Sequence, residues 1–478
     1  MFLKFKFYFY YNHKPIAFQM TFLSNSIYSL FNRPKIHMPS IDGIRALAIL
    51  FVVFGHVYTI QTPLFDGEIM MPSWLRHDYG VDMFFVISGF LIGSILIKDY
   101  QKNGSISYLK FYSRRFLRLM PVYIIVLLLG LYFMENWFYL LPDEGLPMIG
   151  DAQLCCNLGN SSNTENLWAN LLYVNNFLPT ENQYMLWTWS LAIEEQFYFI
   201  APLLLAFILS KHNKKISFLL ILFLLSFVIR YFVVYAYELF PYNYWNSQSV
   251  NNEGINYMKI TFSSIYDNLY TRYGGLLVGV IGAFINVFYN EKVRQIFTKK
   301  SSIIYILISL IILVGVLFDI NYLYFGNFAD WAKLTEVSKY EKIYWATIVA
   351  YDRNLYSVAI LVVIFYSIYN KGPLGVRIKN FLSSKIFYPI AQLSYSTYLV
   401  HWMLMFWFFP SSVIFLSQYI ESNTIIFYLN GSIGILISFL GSLILYLLVE
   451  RPCMEFRNSV FFKSFFDKKQ DSINYSKN

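Results

Sequence analysis

The chain has 478 residues and a formal net charge of +9; it is 57% hydrophobic, 21% aromatic and only 14% charged. Soluble domains carry about 25% charged residues, and no compact water-soluble fold hides so large an apolar share, so a polytopic membrane protein is indicated. The positive charge is then read by its position along the chain; no basic cluster is interleaved in a nucleic-acid pattern, and no nucleic-acid partner is expected.

Residues 1–38 open with "MFLKFKFYFYYNHKPIAFQM". The apolar run is short, broken by lysines and followed by no small-residue cleavage site, which is not a signal-peptide pattern. Two readings stand for this extension: a basic, aromatic segment lying at the membrane interface, or a start called too early, with Met38 opening "MPSIDGIRALAIL".

A spanning helix needs about 20 apolar residues. Ten stretches meet that length: 41–60, 80–98, 119–141, 186–210, 216–238, 267–289, 302–319, 346–369, 387–409 and 425–449. The predicted fold is an all-α, polytopic transmembrane bundle of about ten spans. Lysine and arginine orient it. With odd-numbered spans leaving the cytoplasm, nearly all basic residues fall in the cytoplasmic segments, and the opposite loops hold only Arg76, Lys259, Lys333, Lys339 and Lys342. Both termini are then cytoplasmic by the positive-inside rule. The predicted organisation is an extension over 1–38, a transmembrane unit over 39–452 and a polar tail over 453–478.

Cys155 and Cys156 are adjacent in a long outer loop, and Cys453 follows the last span. The first two read as idle thiols or as a disulfide in an oxidising compartment. No Cys/His spacing suggests zinc, and no metal is expected. "NSS" at 160–162 fits a glycosylation sequon, a weak signal by itself.

Ionisable residues inside spans are costly and mark candidate functional sites. "RALAILFVVFGH" places Arg45 and His56 eleven residues apart, about 16 Å along a helix. Counted through the predicted topology, His56, His401, Asp82, Glu194, Glu195, Arg230, Arg272, Asp352 and Arg353 all fall in the outer half of the bilayer. Polar groups from separate segments are thus expected at one level. "YSRRFLRLMP" sets Arg114, Arg115 and Arg118 at the opposite, inner face, with Arg115 and Arg118 on one helical side. Guanidinium forks suit phosphate oxygens, although juxtamembrane arginines also serve simply as topology anchors. A long phosphorylated donor such as coenzyme A would connect an inner anion site with an outer acid–base site.

Six segments in order resemble the acyltransferase-3 family of integral membrane acyltransferases: "IDGIRALAILFVVFGH", "GVDMFFVISGFLIGSIL", "SRRFLRLMPVY", "WTWSLAIEEQFYFIAPLLL", "LSYSTYLVHW" and "VERP". The resemblance implies acyl transfer, with acetyl expected, from cytoplasmic acyl-CoA to a hydroxyl of an extracytoplasmic carbohydrate or glycolipid, in a bacterial inner membrane. A hydroxyl benefits from a general base, and His56 is the expected one, the alternative being a transient acyl-histidine. Glu194 or Glu195 would orient the imidazole or stabilise its charged form. Arg45, Arg115 and Arg118, supported by Arg114, would hold the coenzyme A phosphates. His401 would bind acceptor or donate to the oxyanion, and Asp82 and Ser190 complete the expected substrate contacts, although Asp82 also suits a helix N-terminus. Trp189, Tyr198 and Trp402 read as packing or belt residues.

The sequence departs from the family pattern in one place: Gly274 stands where an aspartate follows the arginine of an Arg-x-Asp pattern, which weakens Arg272 as a functional residue. Only a short polar tail follows the last span, so a separate extracytoplasmic protein is a candidate acyl acceptor, besides lipid contacts around the bundle. A transporter or flippase is the runner-up, although no internal repeat supports it; a catalytically silent sensor or scaffold is a third reading.

Overall fold

The computed structural model describes residues 24–34, 38–65, 69, 76–140, 161–210, 216–237, 239, 260–317, 339–459 and 462. Cys155, Cys156, the sequon residue Asn160 and residues 1–23 lie outside them. Among the described residues there is helix and no strand.

The principal helices are α1 (Pro39–Gln61), α2 (Tyr79–Asn103), α3 (Tyr108–Leu140), α4 (Trp189–Ser210), α5 (Ile216–Ala236), α6 (Leu269–Phe288), α7 (Asn290–Thr298), α8 (Ser302–Leu317), α9 (Lys339–Tyr369), α10 (Phe387–Ser417) and α11 (Asn423–Leu445). Nine described helices are long and apolar enough to cross a membrane. The predicted seventh span is the difference. Helix α8 has 16 residues and pairs with α7 across a bend of 87°, which gives up to ten spans if the bent pair counts as one. The polar sequence "NEKVRQIFT" of α7 is amphipathic rather than apolar, which accounts for its lying across the direction of its neighbour.

In a membrane, an all-apolar helix is not thereby a central one; small residues decide which helices approach closely. Helix α2 carries Gly80, Ser88, Gly89, Gly93 and Ser94, and α6 carries Gly274, Gly275, Gly279 and Gly282. The two cross backbone to backbone: a Cβ on Gly89 would strike the Leu276 carbonyl, and one on Gly279 would strike the Val86 carbonyl. Around this pair stand α1, α4 and α9, while α10 packs on α1 and α11. Helices α5 and α8 form the apolar periphery, with Leu224 62% and Ile311 69% exposed. That surface is what lipid covers, so the chain is an integral membrane protein.

Gly274 has a local explanation. A Cβ there would run into the amide of Asn354 on α9, whose Nδ2 donates to Ser226 Oγ on α5 at 2.9 Å. The space that an aspartate would occupy is filled by another polar side chain.

Candidate active site

Arg45 on α1 and Arg115 and Arg118 on α3 converge on one cavity of about 760 Å³, its open mouth included. Ser88, Ser190, Glu194, Tyr198 and Tyr398 line it with them, along with apolar side chains of α2 such as Phe85 and Leu91. Among the described residues, no ion pair or hydrogen bond engages any of these three guanidiniums. Arg115 lies over the rings of Phe111 and Tyr198, at 5.9 and 5.3 Å. Arg114 is not part of the lining, and its Nε is buried without a partner. Arg457, in the helix Arg451–Asn458, adds a further positive charge within range of Arg114, Arg115 and Arg118. Like charges held this close without carboxylate bonds are what a polyanion site requires.

Glu194 belongs to this end. Tyr198 Oη donates to Glu194 Oε2 at 2.7 Å and is bonded in turn to Ser88 Oγ, and the carboxylate faces Arg45, Arg115 and Arg118. Glu195, the next residue on α4, is within range of Arg115 as well as of Tyr123, Tyr173 and Tyr395. Among the described residues the titratable groups that face His56 are His401 and His77, not the glutamate expected there. Trp187 stacks on Trp402 at 5.9 Å, and Trp402 meets the His56 ring edge-on at 4.6 Å. Glu194 comes seven residues after Trp187, about 10 Å deeper along the helix. Tyr198, expected as packing, is a cavity residue.

His56 instead meets His401. Their Nδ1 and Nε2 atoms are 2.7 Å apart, and the rings are inclined by only 17°. His401 is fully buried and its Nδ1 lies 2.8 Å from the Tyr398 carbonyl and 3.0 Å from that of Thr397. Neither histidine lines the cavity. Tyr398 stands between: its ring lies 5.8 Å from that of His401, and its hydroxyl holds Ser190 Oγ and the Trp187 carbonyl, both at 2.6 Å. Ser190 is thus a cavity residue tied to the partition. On the other side of His56 is His77, ring to ring at 5.9 Å; Gly55 permits this, since a Cβ there would overlap the His77 ring.

Asp82 is not in the cavity lining. It begins α2 in the first turn, as a carboxylate at a helix N-terminus does, but its Oδ2 is taken by Arg353 at 2.5 Å and Arg272 at 3.3 Å. Arg353 also reaches Asp78, which Arg76 grips through two bonds of 3.1 and 3.2 Å. Arg230 joins Asp352 at 3.2 Å. Asp82, expected as a substrate contact, stands here in an ion-pair layer. Arg272 belongs to the same layer, enclosed by Phe85, Trp189 and Tyr266. Outside the spans, burial works to raise the Asp78 carboxyl, but Arg76 and Arg353 overcome it and hold it well below the usual range. Burial pushes the neighbouring His77 imidazole down, with Asp78 opposing.

Glu450 is a residue the sequence reading did not single out, although "VERP" contains it. It is 3% exposed, accepts from Ser396 Oγ at 2.7 Å, and faces Arg118 and Arg45. The π-helical turn Tyr446–Glu450 between α11 and the last helix sets its direction. Among the described residues no group of three His, Cys, Asp or Glu side chains is placed to hold a metal ion.

A family profile described as an acyltransferase domain, that of the acyltransferase-3 family, matches residues 38–448. The chain belongs to this family. The peptidoglycan O-acetyltransferase OatA of Listeria monocytogenes is 36% identical over 184 residues, covering 38% of this chain and 26% of that protein. The O-acetyltransferase OatA of Staphylococcus aureus is 32% identical over 180 residues, covering 37% and 26%. The matched part is thus about a quarter of the length of these relatives. No solved structure matches the chain. Family membership favours acyl transfer over the transporter or flippase reading.

Proposed function

We propose that the protein transfers an acetyl group from cytoplasmic acetyl-CoA to a hydroxyl of an extracytoplasmic cell-envelope carbohydrate, with His56 as general base. The observation that carries the donor assignment is the set of three unpaired guanidiniums, Arg45, Arg115 and Arg118, around one cavity. Arg76, Arg230, Arg272 and Arg353 are each bonded to a carboxylate, whereas these three are not, which leaves them free for phosphates. The carbohydrate acceptor is supported by the two OatA relatives, one of which is a peptidoglycan O-acetyltransferase; their bacterial source supports a bacterial cell membrane. The lysine and arginine asymmetry supports the orientation, with the arginine end facing the cytoplasm.

In this reading the arginines bind the nucleotide phosphates and the pantetheine arm runs along the cavity toward Tyr398. As the acceptor oxygen attacks the thioester carbonyl carbon, its proton passes to His56. The C–S bond breaks, the sulfur leaves with the electron pair, and the proton from His56 completes the free thiol. Passage of the thioester to His56 requires Tyr398 to swing from its bonds to Ser190 and Trp187. Residues 39–452 would form the catalytic unit, with 1–38 and 453–478 as flanking segments, and a separate protein remains a candidate acyl carrier.

The test is transfer of labelled acetyl from acetyl-CoA to peptidoglycan fragments by the purified full-length protein in proteoliposomes, alongside glycan mass spectrometry of a deletion strain. Loss of a 42-Da substituent, about the mass of an added acetyl group, is the expected strain phenotype. Unaltered glycans together with no transfer in vitro count against the assignment.

A further inference from the structure

We propose that His401 is a positioning residue that sets the tautomer of His56, doing with a neutral ring what a carboxylate does in a Ser-His-Asp triad. The inference rests on the acyl-transfer reading for its catalytic consequence, but its structural content stands on geometry.

His401 Nδ1 faces two backbone carbonyls, those of Tyr398 and Thr397, at 2.8 and 3.0 Å. Carbonyl oxygens only accept, so Nδ1 carries a proton. A neutral imidazole has one N–H, which leaves a lone pair on His401 Nε2. That nitrogen is 2.7 Å from His56 Nδ1. The 5.0 Å centroid separation and 17° inclination set the rings edge to edge in nearly one plane, where an N–H points along an in-plane lone pair. His56 Nδ1 is therefore the donor, and the lone pair of neutral His56 resides on Nε2. A second proton on His401 would set two N–H groups head to head across the same 2.7 Å.

The arrangement holds through the reaction. When His56 Nε2 takes the acceptor proton, the charge stays on His56, and its Nδ1–H keeps its bond to His401, which accepts it without itself changing protonation. The full burial of His401 and its two carbonyl contacts keep its ring from turning over and offering the wrong edge.

Two measurements test this on the full-length protein in detergent or proteoliposomes. The first compares His401→Leu with His401→Gln. A glutamine oxygen reaches the place of Nε2 and accepts from His56, whereas leucine does not. Leucine should lower kcat by about 100-fold or more, the usual weight of a positioned base, with the KM for acetyl-CoA unchanged, and glutamine should restore most of that loss. Equal activity of the two variants, or an effect on KM alone, overturns the proposal. The second measurement needs no activity and no His401 variant. In 15N-histidine protein, with His56 assigned by its loss in His56→Gln, the neutral ring should show a protonated Nδ1 and an unprotonated Nε2. The opposite tautomer rejects the inference even if transfer is robust; a wild type that transfers nothing sinks the functional reading while the spectrum still decides the tautomer.

Discussion

Tyr198 donates its hydroxyl to Glu194 Oε2 at 2.7 Å, and that bond keeps the carboxylate among the arginines, away from the imidazole of His56. The site is therefore divided into an arginine end and a histidine end. Tyr398 is the partition between them.

Replacing His56 by alanine should lower acetyl transfer by about 10²- to 10⁴-fold, the range for removal of a general base. The protein should still insert and elute as the wild type on gel filtration, because the ring is only half-buried. Wild-type rates in a well-folded His56→Ala protein would remove the base assignment.

Arg115→Ala with Arg118→Ala should raise the KM for acetyl-CoA by about 10-fold or more, since each bond to a charged group is worth roughly 1.5–3 kcal/mol. The melting temperature should change little, because neither guanidinium is ion-paired or hydrogen-bonded, although Arg115 loses its contacts with the Phe111 and Tyr198 rings. Asp82→Ala should behave in the opposite way. It leaves Arg272 and Arg353 buried and unmatched, a change that costs about 3–5 kcal/mol. Thermal unfolding of the two variants side by side separates them, and equal destabilisation would contradict the division into free and structural arginines.

This contrast shows where sequence reading stopped. Arg45, Arg115 and Arg118 were legible as a candidate anion site because the basic motif stands at one end of a span. The partners of Asp82 and Glu194 were not legible. Counting residues from a span's start gives a depth but not a side. Their partners come from other helices: α6 and α9 for Asp82, and the α1 and α3 arginines for Glu194.

Stability should fall as pH drops below 6.5, in part through His77. Burial lowers the folded pKa of this imidazole below its ordinary value of 6.5. The unfolded chain then binds the proton more readily, so the stabilising contribution is present above 6.5 and is lost as pH falls from there to the lower folded value. His77→Gln should show a shallower loss of melting temperature between pH 7 and 5. Identical slopes in the two proteins would mean that His77 does not titrate differently on folding.

Gly274→Asp should destabilise the protein by about 1–3 kcal/mol through overpacking against Asn354. Adding Asn354→Ala should recover part of that loss by emptying the space. Additive losses in the double variant, read from unfolding midpoints, would show that the two positions do not share it.

By itself the sequence determined the membrane class, the helix count to within one bent pair, the family and the eleven-residue offset between guanidinium and imidazole. These follow from composition, apolar run length and helical rise, which are properties of one segment at a time. Only the tertiary structure decided that His56 is partnered by His401, that Glu194 sits with the arginines, and that Arg45, Arg115 and Arg118 carry no ion pair among the described residues while Arg230, Arg272 and Arg353 do. Those are relations between helices far apart in the chain, and they arise from how glycine-lined crossings such as Gly89 on Gly279 set each helix's rotation and depth.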